Sequence, residues 1–110
     1  MKAIVNIDAG ICGFVTTACV TSEDGQHVIF DLDTNCDKIA PLGQTLGEKG
    51  PIDAYQEISP GATSVIMTAV RETLTGCCAG CAVPVGLFKA MQVAAGLALP
   101  KDITIKLAEN

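Results

Sequence analysis

The first third of the chain alternates apolar and polar side chains with a period of two, and this feature most constrains the fold. Residues 2–8, 14–21 and 27–33 each show the alternation, and the Asp24-Gly25 pair between the last two is typical of a hairpin turn. Successive side chains of a strand point to opposite faces of its sheet. The pattern therefore predicts an antiparallel sheet of about three strands, with one face buried.

The second half of the chain changes to helical spacing. Apolar residues three and four positions apart predict an amphipathic helix that ends at Gly76, namely Ala62, Val65, Ile66, Ala69, Val70 and Leu74. A second helix is predicted to begin near Pro84 and to bury Leu87, Phe88, Met91, Ala94 and Ala95. We therefore expect a single α+β domain over residues 1–110, in which two C-terminal helices cover one face of the sheet.

The segments between and after these elements show no long regular pattern. A short helix is expected from Cys36, bent or ended by Pro41, and residues 43–51, which hold three glycines, predict a loop. Residues 52–58 suggest an irregular strand, and residues 102–107 a last strand or a short helix.

Composition excludes several classes of function. The net charge is −5 and the chain has no basic run, so neither a nucleic-acid partner nor an anionic membrane surface is expected. The N-terminal apolar stretch is interrupted by Asn6 and Asp8, unlike a signal peptide, and residues 79–100 are too mixed to span a bilayer. The expected location is the cytoplasm.

Cysteine is the residue type that carries chemistry here. In a reducing compartment six cysteines in 110 residues predict metal ligands or redox thiols rather than disulfides. Five lie at glycine-rich turns or helix starts, where backbone N–H groups stabilise an anionic sulfur, and these are Cys12, Cys36, Cys77, Cys78 and Cys81. Cys19 lies in mid-strand and is predicted to be a small buried hydrophobe.

These cysteines predict a four-thiolate site. Cys78 and Cys81 form a C-x-x-C pair, and Cys12 and Cys36 would each add one ligand; Cys77 could replace Cys78. Thiolate sulfur prefers zinc and iron–sulfur centres to magnesium or calcium. We expect an iron–sulfur cluster or zinc as the cofactor.

The layout of these cysteines resembles that of the U-type iron–sulfur scaffold proteins (the IscU/NifU N-terminal family). Cys12-Gly13 is similar to the family's first cysteine, Asn35-Cys36 to its second, and Cys81 (or Cys78) to its third. The resemblance covers most of the chain in layout and little of it in residue identity. It implies a three-stranded antiparallel sheet packed by helices, and a role in holding clusters and passing them to protein partners.

Three alternatives remain open. Cys78 and Cys81 could form the dithiol of a thiol–disulfide oxidoreductase, or the chain could be an interaction module with a structural zinc. The cysteines could also be ordinary buried residues. The single histidine, His27, supports no catalytic set, so no catalytic residue is assigned and the pattern favours a binding protein over an enzyme. A homodimer is compatible with the sequence.

Overall fold

The computed structural model describes residues 1–59 and 63–110. Its elements, in chain order, are β1 (Lys2–Asp8), β2 (Val15–Thr21), β3 (His27–Thr34), α1 (Ile39–Glu48), β4 (Ile52–Asp53), α2 (Ala54–Glu57), α3 (Val65–Thr73), a 3₁₀ turn (Gly76–Gly80) and α4 (Val83–Ala94). The strands form an antiparallel sheet in the order β1-β2-β3-β4. The predicted α+β class is confirmed, with one strand more than expected.

The sheet buries one face, as the alternation predicts. Alternate residues of β1, β2 and β3 are buried on that face, including Ala3, Ala18, Val20, Val28 and Phe30. α4 packs on β1 and β2, α1 packs on β3, and α3 packs against α1 and α4. The sheet is therefore covered mainly by α4 and α1, whereas α3, the other C-terminal helix that was predicted to cover it, packs mainly against those two helices.

α1 corrects the prediction of a loop over residues 43–51. Ile39, Leu42 and Leu46 are buried, at the spacing of one helical face. Pro41 lies in the first turn, where a backbone N–H has no partner within the helix, so the helix tolerates it. Gly43 also has a packing reason, because a Cβ there would lie 3.1 Å from Leu32 Cβ on β3.

The two predicted C-terminal helices are present. α3 begins after Ser64, whose side chain accepts a hydrogen bond from the Met67 N–H, while the predicted contribution of Ala62 lies outside the described residues. Residues 52–58 form the short strand β4 and then α2, which Asp53 caps by accepting two backbone hydrogen bonds. Residues 102–107 form neither the strand nor the helix that the sequence suggested.

A buried carboxylate joins α2 to α3. Glu57 Oε1 accepts hydrogen bonds from Ser64 Oγ at 2.7 Å and from the Ile66 N–H at 2.8 Å. Its Oε2 accepts from the Val65 N–H at 2.8 Å. Glu57 thus satisfies the first N–H groups of α3 and places a negative charge at the positive end of its dipole.

The turn between β2 and β3 is held by the side chain of Asp24. Its Oδ1 accepts from the N–H groups of Gln26 (2.9 Å) and His27 (2.7 Å), and its Oδ2 lies 2.7 Å from His27 Nδ1. The backbone hydrogen bonds from His27 and Gln26, and then the His27 side chain, lower the pKa of Asp24. The Asp24 side chain raises the pKa of His27 above its ordinary 6.5.

This pair gives a test of the turn. An NMR titration of the His27 ring protons should show a pKa above 6.5. Because the folded-state pKa is raised, the stabilisation from His27 is present below pH 6.5 and is lost as the pH rises through the folded-state pKa. Asp24→Asn keeps an acceptor for the turn N–H groups and removes the charge, so it should return the pKa towards 6.5. An unchanged pKa in that variant would contradict the pairing.

Candidate thiolate site

The turn that carries Cys12 lies beside the segment that carries Cys36. Strand pairing places Thr16 opposite Thr34, next to these two loops, and the two hydroxyl oxygens are 2.8 Å apart. The Val15 N–H also donates to Asn35 Oδ1 at 3.3 Å, which links the start of β2 to the residue before Cys36. Both cysteines therefore belong to the same end of the sheet.

The start of α4 lies at that end as well. Gly86 packs directly on the end of β1, because a Cβ there would lie 2.5 Å from Ile7 Cδ1 and 2.7 Å from Ile7 Cγ1. At the opposite end of the helix, the Ala95 carbonyl oxygen is 4.0 Å from the position of a Cβ on Gly25, in the β2–β3 turn. α4 thus begins near the β1–β2 turn, and Cys81 precedes it by two residues.

Cys12 is exposed in a glycine turn. The Gly13 N–H donates to the Gly10 carbonyl at 2.9 Å, and both glycines have a left-handed φ (+91° at Gly10 and +76° at Gly13). Residues that carry a side chain rarely adopt this backbone conformation, so glycine is favoured at both positions of the turn. The turn holds the Cys12 thiol out in solvent.

Cys36 lies partly buried where β3 leads into α1. Its N–H donates to Thr34 Oγ1 at 3.2 Å, and its carbonyl accepts from the N–H groups of Ile39 (3.2 Å) and Ala40 (3.0 Å). The backbone of Cys36 is therefore fixed on both sides, and its side chain packs against the core.

Of the three remaining predicted cysteines, Cys77 and Cys78 lie within the 3₁₀ turn and Cys81 follows it directly. Cys77 is exposed, whereas Cys78 and Cys81 are partly buried and pack against the core. The Cys81 N–H donates to the Cys78 carbonyl at 3.1 Å, and Cys81 Sγ accepts from the Val83 N–H at 3.5 Å. That last contact places a sulfur at the N-terminus of α4, where an anionic thiolate is a better acceptor than a thiol.

Cys19 does not occupy the core, so the prediction of a buried residue is corrected. It is half-buried on the face of the sheet opposite the helices, between Ile4 and Asp31 of the neighbouring strands. The alternation itself contains this signal, because Cys19 shares a face with the exposed Val15 and Thr21. Its separation from the other five cysteines makes it a suitable internal control.

The structure brings the loops together without assembling a complete ligand sphere. Within residues 1–59 and 63–110, which include all six cysteines, no group of three or more His, Cys, Asp or Glu side chains is placed to hold a metal ion. The loops that carry Cys12, Cys36 and Cys77–Cys81 therefore lie at the same end of the domain, but their side chains do not form a metal site. To share a metal ion, these loops would have to move closer together.

A family model matches residues 3–107, described as a family of unknown function (DUF6951). The chain belongs to the DUF6951 family. The match includes all five cysteines of the candidate site and both residues of the close contact between β1 and α4, Ile7 and Gly86. No curated protein and no solved structure matches this DUF6951 chain.

An apolar cleft, which the sequence did not reveal, lies between α2, α3 and α4 of this DUF6951 protein. It is open to solvent, has a volume of about 400 Å³ and is lined by Glu57, Met67, Pro84, Val85, Phe88 and Lys89. None of the six cysteines, all of which the structure describes, lines it. The cleft and the cysteine-bearing loops are therefore separate features.

The helical run Gly76–Ala94 is long and apolar enough to cross a membrane by length and composition. It is not one uniform helix, because the backbone is extended at Cys81 (φ −62°, ψ 142°). Leu87, Met91 and Ala94 are buried where α4 packs on the sheet. A core helix passes the same test, so length and composition do not identify a membrane span here.

Proposed function

We propose that this chain binds a transition-metal ion or a small iron–sulfur cluster through cysteine thiolates, for storage, delivery to a protein partner or electron transfer. Cys12, Cys36, Cys78 and Cys81 are the proposed ligands, with Cys77 as the alternative to Cys78. The single observation that carries the proposal is the presence of three cysteine-bearing loops at one end of the domain.

The chemistry of these residues supports binding of a soft metal. Thiolates suit zinc and iron–sulfur centres, and the Cys78-x-x-Cys81 spacing allows two sulfurs to reach one ion at about 2.3 Å each. Partial exposure of Cys36, Cys78 and Cys81 leaves a route for the metal to reach the sulfurs. The resemblance in layout to the U-type scaffolds supports delivery as the purpose of binding.

Metal binding must bring the cysteine-bearing loops closer together. Where a metal site is not formed before the metal binds, the free energy of binding orders the segments that carry the ligands. The turn around Cys12 is the segment most suited to move, because residues 10–14 are all exposed to solvent. Cys36 is held on both sides by backbone hydrogen bonds and would act as the fixed ligand.

The test is anaerobic purification followed by measurement of metal, sulfide and visible absorbance. Iron with sulfide and visible colour would indicate a cluster, and colourless zinc would indicate a zinc site. Serine substitutions at Cys12, Cys36 and Cys81 should each lower the bound metal strongly, because each removes one ligand. The matched control is Cys19→Ser, which changes the same atom on the opposite face of the sheet and should leave the metal content unchanged.

Two results would overturn the proposal. A protein that takes up neither zinc nor a reconstituted cluster has no metal site. Metal that is lost equally in Cys19→Ser and in Cys36→Ser would reflect a general loss of folding rather than loss of a ligand.

A dithiol oxidoreductase is the second candidate, favoured by the hydrogen bond from the Val83 N–H to Cys81 Sγ. Cys78 and Cys81 would form a disulfide and release two electrons and two protons, which the disulfide of a partner protein would take up to become two thiols. A glutathione redox titration of metal-free protein, with mass-spectrometric mapping, tests this function. A reversible Cys78–Cys81 disulfide would support the oxidoreductase function. If this disulfide forms at no ratio of oxidised to reduced glutathione, that function is excluded.

A further inference from the structure

Residues 102–107 have the sequence of a strand but pair with no strand in the part of the chain that the structure describes. Ile103, Ile105 and Leu107 are 51 %, 68 % and 96 % exposed and alternate with Asp102, Thr104 and Lys106. All residues from 101 to 110 are exposed, and none belongs to a helix or a strand. An extended segment with one apolar face is stabilised only when another surface buries that face.

The sheet offers a free edge of matching length. β1 is seven residues long and, among the described residues, pairs only with β2, so its other side carries unpaired N–H and C=O groups. Such an edge is a template for an added strand. On the helix-covered face, Val5 in the middle of β1 is only half-buried, so the core is not fully covered at this edge.

A parallel register matches the segment to β1 in both apolar and charged positions. Pairing Ile105 with Val5 places Ile103 beside Ala3 and Leu107 beside Ile7, all on the face that the helices cover. The same register places Asp102 beside Lys2, and Lys106 beside Asn6, two positions before Asp8. An antiparallel register with the same central pair would place Asp102 against Asp8, and like charges at opposed positions are destabilising.

We propose that residues 102–107 add as a parallel strand to the β1 edge of a second copy of this chain. In the chain itself the segment follows α4, pairs with no described strand and keeps its apolar side chains in solvent. When two copies exchange these segments, the segment of each copy pairs with the β1 edge of the other. No further copy can then add at β1, so the assembly closes as a symmetric dimer. The family match extends to residue 107, the last of the alternating residues, so the segment is part of the sequence that the family shares. This inference is independent of the cysteine site.

Light scattering after size exclusion tests the dimer. The unmodified chain should have twice its monomer mass of 11.3 kDa. The triple variant I103S/I105S/L107S should have the monomer mass and should still unfold cooperatively, because the three side chains are exposed in the single chain. Leu99→Ser is the matched control: Leu99 is 88 % exposed but lies outside the segment, so this variant should stay dimeric.

Hydrogen exchange tests whether residues 102–107 form a strand, and charge-reversal variants test the register of that strand on β1. Hydrogen exchange should protect residues 102–107 and 2–8 together in the dimer, and protection of both should fall in the triple variant. Lys2→Glu should weaken the dimer at low salt, and adding Asp102→Lys should restore it. A monomeric unmodified chain overturns the proposal, whether its segment exchanges freely or is protected within one copy. A dimer that survives the triple substitution also overturns it.

Discussion

Replacing Glu57 with leucine should lower the free energy of unfolding by about 3 kcal/mol, because it leaves the buried Ile66 N–H and the partly buried Val65 N–H without an acceptor. The carboxylate accepts three hydrogen bonds, from Ser64 Oγ and from the N–H groups of Val65 and Ile66, and the Ile66 bond is buried. Leucine fills similar space but accepts none of them. The first turn of α3 would therefore lose both its partner and the favourable charge at its N-terminus.

Urea unfolding followed by circular dichroism measures this effect, and two further variants make it specific. Glu72→Leu makes the same chemical change at an exposed position of α3 and should shift the stability by less than about 0.5 kcal/mol. Ser64→Ala removes the ordinary N-cap and should cost about 1 kcal/mol. Equal losses in Glu57→Leu and Glu72→Leu would show that the capping carboxylate has no special role.

Gly86→Ala should destabilise the protein by about 1–3 kcal/mol, although alanine normally favours a helix. The new Cβ would meet Ile7 at 2.5 and 2.7 Å, and Ile7 is itself buried, with 8 % of its surface exposed. Either the isoleucine must leave its rotamer or α4 must move away from β1. Because Cys81 lies two residues before α4, the second response would also weaken the proposed metal site.

The control is the same substitution elsewhere in the protein. Gly47 lies in α1 with an ordinary φ, and no described atom is within 4 Å of the position of its Cβ. Gly47→Ala should therefore stabilise the protein by about 0.4–1 kcal/mol. Thermal unfolding of the two variants should give shifts of opposite sign. Two stabilising shifts would contradict the close contact of Gly86 with Ile7.

Periodicity identified the elements that repeat over several turns or strand positions. The alternation in residues 2–33 predicted the antiparallel meander, and the spacing of Val65, Ile66, Ala69 and Val70 predicted α3. A short helix was predicted in the region of α1 but not its extent to Glu48, because Gly43 and Gly47 favour a loop although the buried Ile39, Leu42 and Leu46 have helical spacing. An irregular strand was predicted over residues 52–58, and only Ile52 and Asp53 form one, because β4 is defined by its pairing with β3 and not by a repeating local pattern.

The candidate site was predictable in its coarse placement. In an antiparallel meander the first turn and the end of the third strand lie at the same end, so Cys12 and Cys36 were expected to be neighbours. The distances between sulfurs depend on loop conformation, which spacing in the sequence does not determine. The role of Glu57 was hidden for a related reason, because its partners follow seven to nine residues later and the contact is tertiary.

The packing of α4 on β1 joins nearly opposite ends of the sequence, and this has a consequence for how the chain acquires its structure during synthesis. β1, β2 and β3 can pair soon after they leave the ribosome, because each is followed closely by its partner. Ala3, Val5 and Ile7 must nevertheless wait without their cover until residues 83–94 have been translated. Since Cys77, Cys78 and Cys81 arrive immediately before that helix, core closure and convergence of the cysteine-bearing loops become a single late event.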